Sequence, residues 1–118
     1  MNSIVVTGIK VVLTLAFAAA GGAKLAGAEM MVQTFDAVGV GQWFRYVTGV
    51  IEFGSAILLW VPGFAAYAAG LLVCTMIGAF IAHLTVLSAM GLGAAVPAVA
   101  LGVLAALVLR ANRAQLSR

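Results

Sequence analysis

Charge is what this chain has least of. Lys, Arg, Asp and Glu make up 8% of it, against about 25% in an ordinary soluble domain. Six basic and three acidic residues cannot cover the core of a fold that stands in water, so lipid must cover most of the outside. Cysteine occurs once, at Cys74, which excludes an internal disulfide, a CxxC pair and a thiolate metal cluster. Histidine also occurs once. No thiol and imidazole spacing accompanies Met30, Met31 or Met90, so these read as interface packing and no metal is expected. Nucleophile triads and phosphate loops are absent as well, which leaves hydrolase, kinase and metalloenzyme chemistry without support.

What is there is apolar: 65% of the residues are hydrophobic and the mean hydropathy is +1.23. Backbone groups in hydrocarbon need internal partners, so the spans must be helices or a closed barrel. Long runs rich in Ala, Leu and Gly, without strict alternation, predict helices. A hydrocarbon core of ~30 Å takes roughly 20 helical residues. Four runs of that order appear, at about 4–25, 42–61, 64–87 and 93–111. Lys10, the run from Val11 to Ala20 and the triplet Ala18-Ala19-Ala20 imitate a signal peptide. Three further apolar runs follow, so this stretch is read as a first span.

Between the first two runs, residues 26–41 interleave Glu29, Gln33 and Asp36 with Met30, Met31, Val32, Phe35 and Val38. That spacing predicts a short amphipathic helix at the membrane interface, ended by Gly39 and Gly41. Pro62-Gly63 is too tight a link for anything but an antiparallel hairpin. Trp43 and Trp60 then stand at opposite interfaces, and Ala66, Gly70, Cys74 and Gly78, at steps of four, suggest close packing of the third run on its neighbours. The third connection, Ser88 to Leu92, carries no charge. The expected fold is therefore all-α, a single four-helix transmembrane bundle over residues 1–118 with one short interfacial helix between spans one and two.

The net charge of +3 is concentrated at one end, where Arg110, Arg113 and Arg118 fall. That is a topology signal and not a nucleic-acid face; it predicts a cytoplasmic C-terminus and, with four spans, a cytoplasmic N-terminus. Lys10 reads as a snorkelling residue on that side.

A charge in hydrocarbon costs ~2.5–3.5 kcal/mol even on lenient scales, so each one in a span needs a reason. Lys24 ends the first run, Arg45 begins the second, Glu52 lies two turns further in, and His83 falls in the last turns of the third, all toward the outer half. Arg45 and Glu52, seven apart, share a helix face. Gln42, Tyr46 and Thr48 lie beside them, and Gly49 leaves room for a ligand or a neighbouring helix. His83 shares its face with Met76, Ala79 and Phe80. The bland alternatives are that Lys24 snorkels, that Arg45 salt-bridges Glu52 as structural glue, and that His83 is a packing residue. The functional alternative makes Glu52 a group that gives or takes a proton and His83 its complementary acid or base. Arg45 and Lys24 would then be fixed cations for an oxyanion.

Gly21-Gly22-Ala23-Lys24-Leu25, then Arg45-Tyr46-Val47-Thr48-Gly49-Val50-Ile51-Glu52, the Leu59 to Pro62 turn and Met76-Ile77-Gly78-Ala79 leading to His83 resemble the DoxX-like family of small four-span bacterial membrane proteins. The resemblance covers nearly the whole chain. It implies the four-helix bundle in the bacterial inner membrane and singles out Lys24, Arg45, Glu52 and His83. The family's namesakes are linked to quinone-coupled sulfur oxidation and terminal oxidase complexes. This chain has no haem-ligand pair or redox dithiol of its own, so electron transfer by the chain itself is not expected.

The leading expectation is a binding site for a lipophilic small molecule, with Glu52 and His83 catalytic and Arg45, Lys24, Tyr46, Thr48 and Gln42 contacting the substrate. Isomerisation, cyclisation or epoxide opening would need no cofactor, although a quinone is an admissible ligand. The alternative is an accessory or quinone-binding subunit of a membrane redox complex. The expected partners are membrane lipids, the small molecule, and either a second copy or another membrane subunit. A transporter is disfavoured, since paired broken helices are absent.

Overall fold

The computed structural model describes residues 2–85, 87 and 92–114, and they wind into α1 (Ser3–Ala26), α2 (Glu29–Val38), α3 (Gln42–Leu58), α4 (Ala65–Leu84) and α5 (Val96–Ala111), with a 3-10 turn at Leu92–Ala95. The connection around Ser88, Met90 and the terminal Arg118 lie outside the described residues. Local chemistry sets each boundary. The Asn2 side chain accepts from Ile4 N at 2.8 Å and caps α1, satisfying a first-turn N–H that has no partner within the helix. α2 stops at Gly39, whose N–H donates to Phe35 O at 3.2 Å.

α3 ends at Leu58, three residues short of the apolar run that contains it. Pro62 disfavours helix at the residue before it, and bonds of the i→i+3 type, Trp60 N to Ile57 O and Val61 N to Leu58 O, wind the chain out of the helix. The turn closes with Phe64 N on Val61 O at 3.1 Å. Gly63, at φ +85°, takes the left-handed position that follows Pro in such a turn.

α1 packs along α3, α3 along α4, α4 along α5, and α5 returns to α1. Neighbours are antiparallel and close a four-membered ring, while α2 bridges α1 and α3 at one end. That end, where α1 stops and α3 begins, is called the upper end below. The core is built from Leu13, Phe17, Leu59, Leu72, Val108 and a set of buried alanines. Small residues let backbones approach where lipid gives no hydrophobic push between helices.

The outward surface is apolar on every helix: Ile4, Leu15, Val50, Ile57, Ile77, Ile81, Val96 and Val103 are all exposed. α1 and α4 are long and apolar enough to cross a membrane. Such a surface marks a membrane protein, whose solvent is lipid.

The small-residue stripe on α4 does not pack as its spacing suggests. Ala66 is buried, but a side chain added at Gly70 or Gly78 would meet nothing within 4 Å, and Cys74 is exposed. Steps of four advance about 40° each around a helix of 3.6 residues per turn, so the stripe winds off the packed face. That face is Ala65, Ala68, Ala69, Leu72 and Met76.

Candidate functional site

The buried face of α3 carries Arg45, Gly49, Glu52, Ser55 and Ala56, a polar stripe in an apolar bundle. α1 meets it at unusually short range. A Cβ on Gly21 would stand 2.7 Å from Phe53 N and 2.9 Å from Gly49 O. One on Gly49 would stand 3.0 Å from both Lys24 Cβ and Leu25 Cγ. Only two glycines allow the backbones this close.

Just below that crossing, Lys24 Nζ lies 2.6 Å from Glu52 Oε1, with side-chain exposures of 11% and 3%. Lys24 therefore does not reach out to headgroups. A helical side chain leans toward its own N-terminus, which carries the ammonium down the α1–α3 seam into the bundle. The carboxylate oxygen that Lys24 approaches has no hydrogen bond of good geometry, so the contact is ionic in character.

Arg45 does not pair with Glu52, although the two share a face. Its Nε donates to Gln42 Oε1 at 2.8 Å and its Nη1 donates to the backbone carbonyl of Lys24. Gln42 Nε2 in turn donates to Val32 O at 3.0 Å and Asp36 Oδ1 at 2.8 Å. Arg45 and Gln42 thus staple the last turn of α1, the middle of α2 and the first turn of α3. Cations suit a helix C-terminus, where carbonyls lack partners. Tyr46 is exposed, and its ring lies 4.3 Å from the Arg45 guanidinium carbon. Thr48 donates to Phe44 O on its own helix at 2.8 Å.

His83 stands apart from Glu52. In the α3–α4 hairpin, Glu52 is six residues before the end of α3 and His83 eighteen residues after the start of α4. At 1.5 Å per residue the offset along the bundle is about 18 Å, which sets His83 near the level of Gln42. Glu52 and His83, expected as complementary acid and base of one site, are not brought together. Proximity to one membrane face was read from sequence as proximity to each other, and the antiparallel register separates them.

Ser55 was not singled out by the sequence. It is buried, and its Oγ has no hydrogen-bond partner. Thr14, Thr34, Thr48, Thr75 and Thr85 all donate to the carbonyl four residues back, so a free buried hydroxyl is the exception here. The signal was the spacing: Ser55 follows Glu52 by three and so continues its face.

At the lower end, Trp60 Nε1 donates to Thr14 Oγ1 at 2.7 Å and Lys10 Nζ lies 4.5 Å from the Trp60 ring centre. This amphipathic cluster suits a lipid interface.

The DoxX-like family model matches residues 8–108. No curated protein and no solved structure matches the chain.

Proposed function

The chain belongs to the DoxX-like family, and from that premise we propose an intramembrane site between α1 and α3 that binds a lipophilic small molecule and moves a proton on it. In this reading α1, α3, α4 and α5 each cross the bilayer of the bacterial inner membrane and α2 lies in the upper interface. α3 and α5, at 17 and 16 residues, reach about 26 and 24 Å. With the turns that extend them they suit a core of ~30 Å. Arg110 and Arg113 favour a cytoplasmic lower end, where α1 begins and α5 ends.

The observation that carries the proposal is the buried Lys24–Glu52 pair with the free Ser55 hydroxyl one turn away. Ion pairs in hydrocarbon are expensive and buried polar groups are normally satisfied; a polar guest between these three groups explains both. The Glu52 carboxylate takes a proton from an acidic C–H or O–H of the guest and returns it at another atom. Lys24 meanwhile stabilises the negative oxygen that forms. Such an isomerisation, a cyclisation or an epoxide opening balances without a co-reactant. Arg45 and Gln42 act as positioning residues, because they fix the end of α1 from which Lys24 projects, and Tyr46 backs Arg45. If the guest is a quinone, Lys24 and Ser55 supply donors for its carbonyl oxygens, and the quinone brings the redox chemistry.

Native mass spectrometry of the detergent-purified chain tests this. Wild type is expected to retain a small lipophilic species that Ser55→Ala and the paired replacement Lys24→Met with Glu52→Leu lose while remaining folded. Retention in both variants would end the proposal.

A second reading, as an accessory subunit or homodimer, has one observation in its favour: the open face of Gly70, Cys74 and Gly78 on α4, which suits a further membrane helix. A stoichiometric protein partner in the same spectra, released by Gly78→Leu, would favour it.

A further inference from the structure

Arg110 and Arg113 stand where α5 ends, at the lower end of the bundle, and neither has an internal partner. Basic residues in a last turn commonly cap the free carbonyls. Here Asn112 takes that part: its backbone N–H donates to Val108 O at 3.1 Å and Leu109 O at 3.2 Å, and its Nδ2 donates to Val108 O at 3.0 Å. Salt bridging is closed to them as well. The chain has three acidic residues; Glu29 and Asp36 belong to α2 at the upper end, and Glu52 is paired with Lys24. Arg110 and Arg113 are both exposed, and neither makes a hydrogen bond or ion pair with a described residue.

The two arginines line one recess of about 550 Å³, together with Leu107, Ala111 and Ala114. Ligand clefts usually enclose about 300–1,000 Å³. Three residues apart on the helix, the arginines are separated by about 60° and 4.5 Å, so two forks of N–H donors serve the same recess. Above it the helix face is apolar. Val96, Val99 and Val103 are exposed and lie within about 40° of Arg110 around the helix. From Arg110 to Val99 this stripe runs about 16 Å, close to half of a ~30 Å hydrocarbon core, which is one leaflet.

An arginine that only snorkels needs water and no particular partner. Two guanidiniums on one recess ask for more. Their planar forks match the oxygens of a phosphate, and basic residues beside a transmembrane helix attract anionic lipid. A zwitterionic headgroup would also bring an ammonium, and no aspartate or glutamate stands at this end to receive it. We propose that the lower end of α5 is a binding site for an anionic glycerophospholipid, its phosphate held between Arg110 and Arg113 and one acyl chain laid along Val103 and Val99. The site does not depend on the Lys24–Glu52 chemistry.

The test offers the full chain, in a neutral detergent, an equimolar mixture of phosphatidylglycerol and phosphatidylcholine with identical acyl chains, and reads the bound lipid by native mass spectrometry. Wild type is expected to retain phosphatidylglycerol in preference. A basic residue near an anionic headgroup is worth about a 5-fold change in affinity. Arg110→Gln and Arg113→Gln should therefore each cut the preference by about that factor, and the double variant by up to about 25-fold. Both positions are exposed, and surface substitutions of this kind leave a fold nearly unchanged. Arg110→Lys with Arg113→Lys keeps the charge and should lose less than the glutamine pair. Lys10→Gln removes the same charge from the Trp60 ring and should leave the preference nearly intact. Ser55→Ala should leave it intact too, which separates failure of this site from failure of the α1–α3 site. Equal retention of the two lipids by wild type, an unchanged preference in the glutamine pair, or a loss in Lys10→Gln as large as in Arg110→Gln would overturn the assignment.

Discussion

Removing Lys24 while leaving Glu52 should damage the fold more than removing both. With Lys24→Met the Glu52 carboxylate, 3% exposed, keeps its burial and loses the cation 2.6 Å away. Breaking a buried pair on one side costs about 3–5 kcal/mol, whereas replacing both partners by well-packed apolar residues is often neutral or stabilising by about 1–4 kcal/mol. The lower figure for the single variant already shifts the folding equilibrium more than about 100-fold, against a total stability of about 5–15 kcal/mol. Lys24→Met and Glu52→Leu should each unfold readily, and the double variant should recover to wild type or beyond. Reversible unfolding in mixed micelles, followed by circular dichroism and by Trp43 and Trp60 fluorescence, gives the four corners of the cycle. Losses that add to within about 0.5 kcal/mol would mean that the two side chains do not interact, and the α1–α3 site would have no centre. A recovered double variant also provides a folded protein without the charged pair, in which any loss of ligand is a loss of chemistry alone.

Gly21→Ala should destabilise by about 1–3 kcal/mol, since its Cβ meets backbone at 2.7 Å. Gly22→Ala, with nothing within 4 Å, should be neutral or gain up to about 1 kcal/mol in helix propensity; equal effects on the thermal midpoint would contradict the close crossing. Arg45→Lys cannot serve Gln42 and the Lys24 carbonyl together. Amide exchange in α2 should therefore rise roughly as much as in Gln42→Ala, and unchanged protection of Glu29–Val38 would remove the staple. Trp60→Phe forfeits the bond to Thr14 and weakens the Lys10 contact, a loss of about 1 kcal/mol. Lys10→Met should alter Trp60 fluorescence at the same time, and an unaltered spectrum would separate the two residues.

The helices were legible because their causes are local: long apolar runs, a Pro-Gly turn, and an amphipathic segment ended by glycine. Even where a helix stops early, as α3 does at Leu58, the cause stands in the sequence at Pro62. The charged residues were legible for an energetic reason, since each is conspicuous in hydrocarbon. Their pairing was not. Arg45 and Glu52 share a face of α3, but a carbonyl at the end of α1 and the Gln42 side chain take the guanidinium, and neither contact has a spacing that one strand of sequence reveals. His83 was grouped with Glu52 by membrane side, a coordinate too coarse to resolve about 18 Å of axial separation. Ser55 carried no charge to draw attention, and only the free rotamer of its hydroxyl distinguishes it from the threonines that bond back to their own helices.

The glycines and the ion pair form one device. Gly21 precedes Lys24 by three residues on α1, and Gly49 precedes Glu52 by three on α3, so each antiparallel helix offers a gap followed by a charge on the same face. The gap at Gly49 admits the Lys24 stem, whose Cβ would otherwise stand 3.0 Å from a second Cβ. The gap at Gly21 lets the α3 backbone at Gly49 and Phe53 come in to meet it. Close approach shields the pair from lipid and aligns the ammonium with the carboxylate, so the spacing Gly-x-x-Lys against Gly-x-x-Glu sets the depth as well as the partner. A fifth prediction follows from this coupling. Gly49→Ala should push the Lys24 stem aside and lower ligand retention even in preparations that stay folded, whereas Gly54→Ala, two residues beyond Glu52 with nothing within 4 Å, should not. If Gly49→Ala loses stability but keeps the ligand, the crossing and the site are separate features, and the pair serves to hold the two helices in register.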